Sequence, residues 1–185
     1  MRNKHILLAI VSLVLLSSCL KKNDYWEDFA STQPIADIAK APANAAVATA
    51  PTNSWFILDS AAGPQDYATA VHISAKDHIG DVTIKMKIDN AVGASWIAAH
   101  PTAGYTLLPE DLYTVPSLNA TIPNAGVFSI GDFVVNIKAN ADNGSGVSRF
   151  KGVKYILPVT IDDASPYGIA ANFKTVLWYI RVKLK

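Results

Sequence analysis

The side chains equipped for chemistry include the adjacent carboxylates Glu110-Asp111 and Asp162-Asp163, four histidines and a single cysteine, Cys19. Glycoside hydrolysis uses two carboxyl groups, but they must face one another across the sugar bond, about 5 to 10 Å apart on separate elements. Neighbours along a strand point to opposite faces. The two pairs therefore read as a turn cap after Pro109 and a loop start after Ile161. His72 falls on the polar side of an alternating run, opposite Val71 and Ile73; His78 lies in the turn "AKDHIGD", and His100 ends a helical stretch. Their spacing matches no zinc set. Asp77, His78 and Asp81 have donors suited to a calcium ion in that turn, although a solvated loop is the simpler reading. The sequence has no Gly-x-Ser-x-Gly elbow and no phosphate-binding glycine loop. It thus predicts a protein that is not an enzyme and uses no metal and no cofactor.

The elements that position these residues are strands. In "VTIKMKI", Val82, Ile84, Met86 and Ile88 share one face while Thr83, Lys85 and Lys87 share the other, the period of a half-buried strand. Phe133, Val135 and Ile137 repeat the pattern, as do Leu157, Val159 and Ile161, and then Trp178, Ile180, Val182 and Leu184. Turn formers, "PNAG" at 123–126 and "DNGSG" at 142–146, separate the runs. One polar face per strand predicts antiparallel sheets with a shared interior, a mainly all-β sandwich domain over 53–185. One insertion reads as a short helix bridging the two sheets: "DNAVGASWIAAHPTAG" opens on a capping Asp89 or Asn90 and places Val92, Trp96 and Ile97 at helical spacing. Pro101 and Gly104 stop it, and Gly93 weakens it.

Residues 1–18 have a different grammar. Arg2 and Lys4 form a basic head, Ile6 to Leu16 is apolar except for Ser12, and Ser17-Ser18 precede Cys19. That is a secretory signal. A span of the bilayer takes about 20 apolar residues, roughly twice this stretch, so cleavage is expected. Leu16-Ser17-Ser18-Cys19 resembles the lipobox of bacterial lipoproteins. The resemblance implies that Cys19 becomes the lipid-bearing first residue, and several acyl chains hold a protein on a membrane durably. A lone, modified cysteine also leaves no disulfide to form.

The chain carries a formal net charge of +1, and loss of Arg2 and Lys4 with the signal leaves −1. No cluster of cations exceeds Lys21-Lys22, so nucleic acid is excluded as a partner. Residues 19–52 read as a lipidated tether. A polar segment holding Tyr25, Trp26 and Phe29 gives way to the Ala-rich, Pro-interrupted "IAKAPANAAVATAPT", without a persistent period. A flexible chain of that length reaches on the order of 30 Å.

From about Trp55 to Lys185 the chain resembles the N-terminal domain of unknown function found in surface lipoproteins of Bacteroidota. The marks are Tyr105-Thr-Leu-Leu-Pro109, Tyr113 and Thr121-Ile-Pro123. That resemblance implies an immunoglobulin-like fold and an association with polysaccharide-utilisation systems, and it carries over no catalytic residues. Two departures stand out: Asn124 lengthens the turn after Pro123 by one residue, and the chain stops at Lys185, where relatives often continue into a further domain. Asp59-Ser60-Ala61 matches a short O-glycosylation pattern of exported Bacteroidota proteins, which marks Ser60.

Sugar rings stack their apolar C–H faces on aromatic side chains, and the candidates for such a platform are Trp55, Tyr67 and Tyr179; Trp96 and Trp178 read as core. Two functions follow as expectations. One is a surface-exposed outer-membrane lipoprotein that binds glycan beside uptake-system proteins. The other is a structural or adhesin-like interaction module, for which a large apolar patch or an open strand edge would speak.

Overall fold

The computed structural model describes residues 33–39, 41, 51–53 and 57–184. In chain order the strands are β1 (Ile35–Ile38), β2 (Thr52–Asn53), β3 (Leu58–Asp59), β4 (Gln65–Ser74) and β5 (Gly80–Ile88). Helix α1 (Asn90–Ala99) follows, then β6 (Tyr105–Leu107), β7 (Tyr113–Thr114), β8 (Asn119–Ala125) and β9 (Ser129–Ile137). The chain finishes with β10 (Lys154–Asp163), β11 (Gly168–Ile169), β12 (Thr175–Ile180) and β13 (Val182–Lys183). They build a β-sandwich. One sheet runs β11-β1-β4-β9-β7; the other runs β2-β12-β10-β5-β8, with β6 beside β10. The long pairings are antiparallel, as the alternation predicted, whereas β6, β2 and β11 add short parallel contacts at the margins.

The inner faces are those the period-two pattern marks. Val71 and Ile73 on β4 and Phe133, Val135 and Ile137 on β9 meet Val82, Ile84 and Met86 on β5 and Leu157 and Val159 on β10, all essentially sealed from solvent. Each such side chain contributes about 1.5–3 kcal/mol through burial. The chain changes sheets between β8 and β9, and Gly131 permits the close crossing: a Cβ there would stand 2.5 Å from the Thr121 carbonyl oxygen.

β1 lies inside the segment read as tether. Ala36 and Ile38 are buried against β4, so sheet structure begins well before residue 53. Four residues are too few for a period to show.

Helix α1 corrects a second expectation. It does not bridge the sheets but lies on the outer face of the larger one, where Trp96 packs with Ile156 of β10 and Leu177 of β12. β10 is consequently covered on both sides, and Ile156, Pro158 and Thr160 are buried although the alternation predicted a polar face for Pro158 and Thr160. Thr160 and Thr175 meet that burial by hydrogen bonding to one another at 3.0 Å. Asp89 is the helix cap: its Oδ1 accepts from the Val92 N–H at 3.2 Å. Gly93, which weakens the helix on propensity alone, is what lets it approach the sheet. A Cβ there would lie 2.5 Å from Leu107 and 2.9 Å from Pro158.

Candidate functional site

The outer face of the larger sheet carries a run of rings that starts under the helix and ends at solvent. His100 stacks on Trp96 with centroids 4.3 Å apart, Trp96 meets the edge of Tyr105 at 5.6 Å, and Tyr105 meets Tyr179 edge to face at 5.3 Å. Sequence order hides this grouping. β6 pairs in parallel with β10, placing Tyr105 opposite Lys154, and β12 pairs antiparallel with β10 on its other side, placing Tyr179 opposite Ile156. Trp96 is fully buried and anchors the run. Tyr105 and Tyr179 are half-buried.

The electrostatics of this corner follow from its packing. Burial pushes the Tyr105 hydroxyl above its ordinary range, and the neighbouring Tyr179 adds to the shift. Lys154 sets its ammonium 5.3 Å from the centre of the Tyr105 ring and donates to the Ala103 carbonyl at 3.3 Å. The result is two half-buried aromatic rings beside an exposed lysine, on strands of the larger sheet.

Of the residues the sequence marked for binding, Tyr179 occupies this corner. Tyr67 does not: it is 5% exposed and packs in the sandwich interior, its ring 4.6 Å from that of Trp178. It shares the parity of Val71 and Ile73 on β4, and that alternation was the available signal. Trp55 and Cys19 lie outside the described residues. Ser60 is half-buried in a 3-10 turn that Asp59 caps by accepting from the Ala61 N–H at 2.8 Å, with the Gln65 amide donating to the Asp59 carbonyl. Tyr105 and Lys154 were missed, since only the register of β6 on β10 brings them together.

The acidic pairs form ion pairs with cations. A shift of register between Ile161 and Asp163 overrides the opposite-face rule, so Asp162 meets Lys87 at 3.3 Å and Asp163 meets Lys85 at 3.7 Å along one neighbouring strand. Asp162 and Asp89 together hold the Lys87 ammonium above its ordinary range. Arg149 engages Asp111 through both carboxylate oxygens and lowers its pKa, which ties the turn after Pro109 to the long loop before β10. In the turn at 77–81, Asp81 accepts from the Asn124 N–H at 3.0 Å, and Asn124 adopts φ 48°. Among the described residues no three His, Cys, Asp or Glu side chains gather as metal ligands.

A second surface is more apolar. On the outside of the smaller sheet, Phe128 and Ile130 are 62% and 50% exposed. His72 stands beside them, its ring 4.7 Å from Phe128 and its Nδ1 3.1 Å from an oxygen of Asp37 on β1.

The fold recurs in solved structures. A Bacteroides ovatus protein assigned to carbohydrate binding superposes with a TM-score of 0.52 at 13% identity over 71% of this chain and 35% of its own. A two-domain protein of unknown function from Bacteroides fragilis gives 0.50 at 7% identity, over 82% of this chain and 46% of its own. EndoBT-3987 of Bacteroides thetaiotamicron, solved with a Man5GlcNAc product, gives 0.49 at 23% identity, over 68% and 28%. This chain thus spans less than half the length of each. No curated protein matches it in sequence. Residues 44–168 match the model of a family described as an N-terminal domain, and the chain belongs to that family.

Proposed function

We propose that this protein is a non-catalytic, lipid-anchored envelope protein whose sandwich binds glycan at the Tyr105–Tyr179 corner. The observation that carries the reading is the ring pair itself: two half-buried tyrosines, edge to face at 5.3 Å, with the buried Trp96 against Tyr105. Tyrosine offers a large stacking area at small conformational cost, and a sugar's C–H face is its natural complement. A protein of the same fold assigned to carbohydrate binding supports the class of ligand. The acidic pairs, each held by lysine or arginine, support a binding role over hydrolysis.

In this reading Cys19 carries the lipid, the chain faces outward from the outer membrane, and its partners are polysaccharide and the uptake proteins beside it. Among the described residues no helix is long and apolar enough to cross a membrane, so a lipid at Cys19 would supply the attachment. Affinity electrophoresis in gels containing soluble plant, host and microbial polysaccharides tests the function. Retention that Tyr179→Ala abolishes supports it, and equal mobility across the panel contradicts it.

The exposed Phe128 and Ile130 favour a second reading, an interaction module that docks on another envelope protein through the smaller sheet. Crosslinking on intact cells with and without Phe128→Ser separates the two.

A further inference from the structure

The charges around the tyrosine corner go beyond a general sugar platform. Lys154, exposed at the start of β10, lies opposite Tyr105 in the register. Arg181, also exposed, directly follows Ile180, whose register partner Tyr155 directly follows Lys154. Arg181 stands between β12 and β13, so the two cations lie at the same end of the β10–β12 pairing, Arg181 two residues beyond Tyr179. The Arg181 backbone is fixed there, since its carbonyl accepts from the Leu58 N–H at 3.0 Å.

The ion pairs among the described residues engage His72, Lys85, Lys87 and Arg149, and no described carboxylate comes within 4.0 Å of Lys154 or Arg181. On a chain of formal net charge +1 this is a local excess. A neutral sugar would leave both cations to water. An anionic sugar would stack its ring on the tyrosines and place its acid group between an ammonium and a guanidinium, whose fork matches an oxyanion bidentately.

We infer that the corner selects anionic saccharide, a glycan bearing carboxylate or sulfate, with Lys154 and Arg181 holding the acid group and Tyr105 and Tyr179 the ring. The inference rests on the glycan-binding reading and narrows its ligand class.

The test is calorimetry of the full chain with oligogalacturonate, a sulfated dextran oligomer and a neutral dextran oligomer. Lys154→Gln and Arg181→Gln, both at exposed positions, serve as variants beside Tyr179→Ala. The expected result is binding of at least one anionic ligand, weakened about tenfold by each charge-removing variant and also lost in Tyr179→Ala. Uronate binding alone would identify the acid as carboxylate, and sulfated dextran alone as sulfate; either supports the inference. Neutral dextran bound equally well, with the two charge variants unchanged, overturns the inference and leaves the glycan reading standing. Anionic binding that vanishes at moderate salt and ignores Tyr179→Ala is general electrostatics and also overturns it. Binding of none of the three overturns the inference, and the glycan reading falls with it only when the wider polysaccharide panel is empty as well.

Discussion

Tyr105 and Tyr179, on strands well separated in the sequence, meet edge to face with centroids 5.3 Å apart and planes at 87°. The contact exists because β10 lies between β6 and β12 and is paired to both. The proposed glycan site depends on that geometry.

The pair has a pH signature. Burial first, and the nearby Tyr179 second, hold the Tyr105 pKa above the ordinary value of about 10. A folded-state pKa raised above the unfolded one gives stability that is complete below about pH 10 and lost as the pH rises through the folded value. Absorbance titration near the tyrosinate band should therefore show raised midpoints for Tyr105 and for Tyr113, whose hydroxyl burial also pushes up. Tyr179→Phe should lower the Tyr105 midpoint only partway, because burial remains, and leave that of Tyr113 unmoved.

Trp96 supports the corner from beneath. Trp96→Ala should destabilise the domain by about 3–5 kcal/mol in urea denaturation, the range for emptying a large aromatic site. Tyr105 would lose the ring it leans on, and its titration should move back toward the ordinary value.

Two glycines should respond unequally to alanine. At Gly93 the helical gain of up to about 1 kcal/mol opposes a clash with the Leu107 side chain and the Pro158 ring, for a net loss of about 1–3 kcal/mol. At Gly131 the obstacle is the Thr121 backbone, which cannot rotate away. Gly131→Ala should be the more damaging of the two by thermal unfolding, and a reversed order would contradict the close crossing of β8 and β9.

Cys19 is predicted to carry lipid. Cys19→Ser should move the protein from the detergent phase to the aqueous phase in Triton X-114 partitioning of cells, and unchanged partitioning would remove the anchor from the account.

What the sequence revealed has a physical pattern. The alternation in 82–88 and 133–137 reports which side of a strand meets the core, and those faces are buried as read. Alternation cannot report what covers the other side. The burial of Ile156 and Thr160 under and beside the helix layer therefore did not show, nor did the place of α1 on one sheet. Tyr67 shares the parity of Val71 and Ile73, which makes it a core ring and not the surface ring its residue type suggests. The Tyr105–Lys154 neighbourhood was not legible at all, since it depends on a three-residue parallel register between distant segments. Half of the candidate corner, Tyr179, came from sequence, and the other half from topology.

The most direct test of the central claim is where a glycan lands. Amide and aromatic chemical-shift mapping of the isotope-labelled protein, titrated with whichever polysaccharide fragment the affinity gels retain, reads that position residue by residue. The account predicts shifts concentrated at Tyr105, Lys154, Tyr179 and Arg181, with Phe128 and Ile130 unmoved. Shifts centred on Phe128, Ile130 and His72 instead would contradict it and transfer the binding surface to the other sheet.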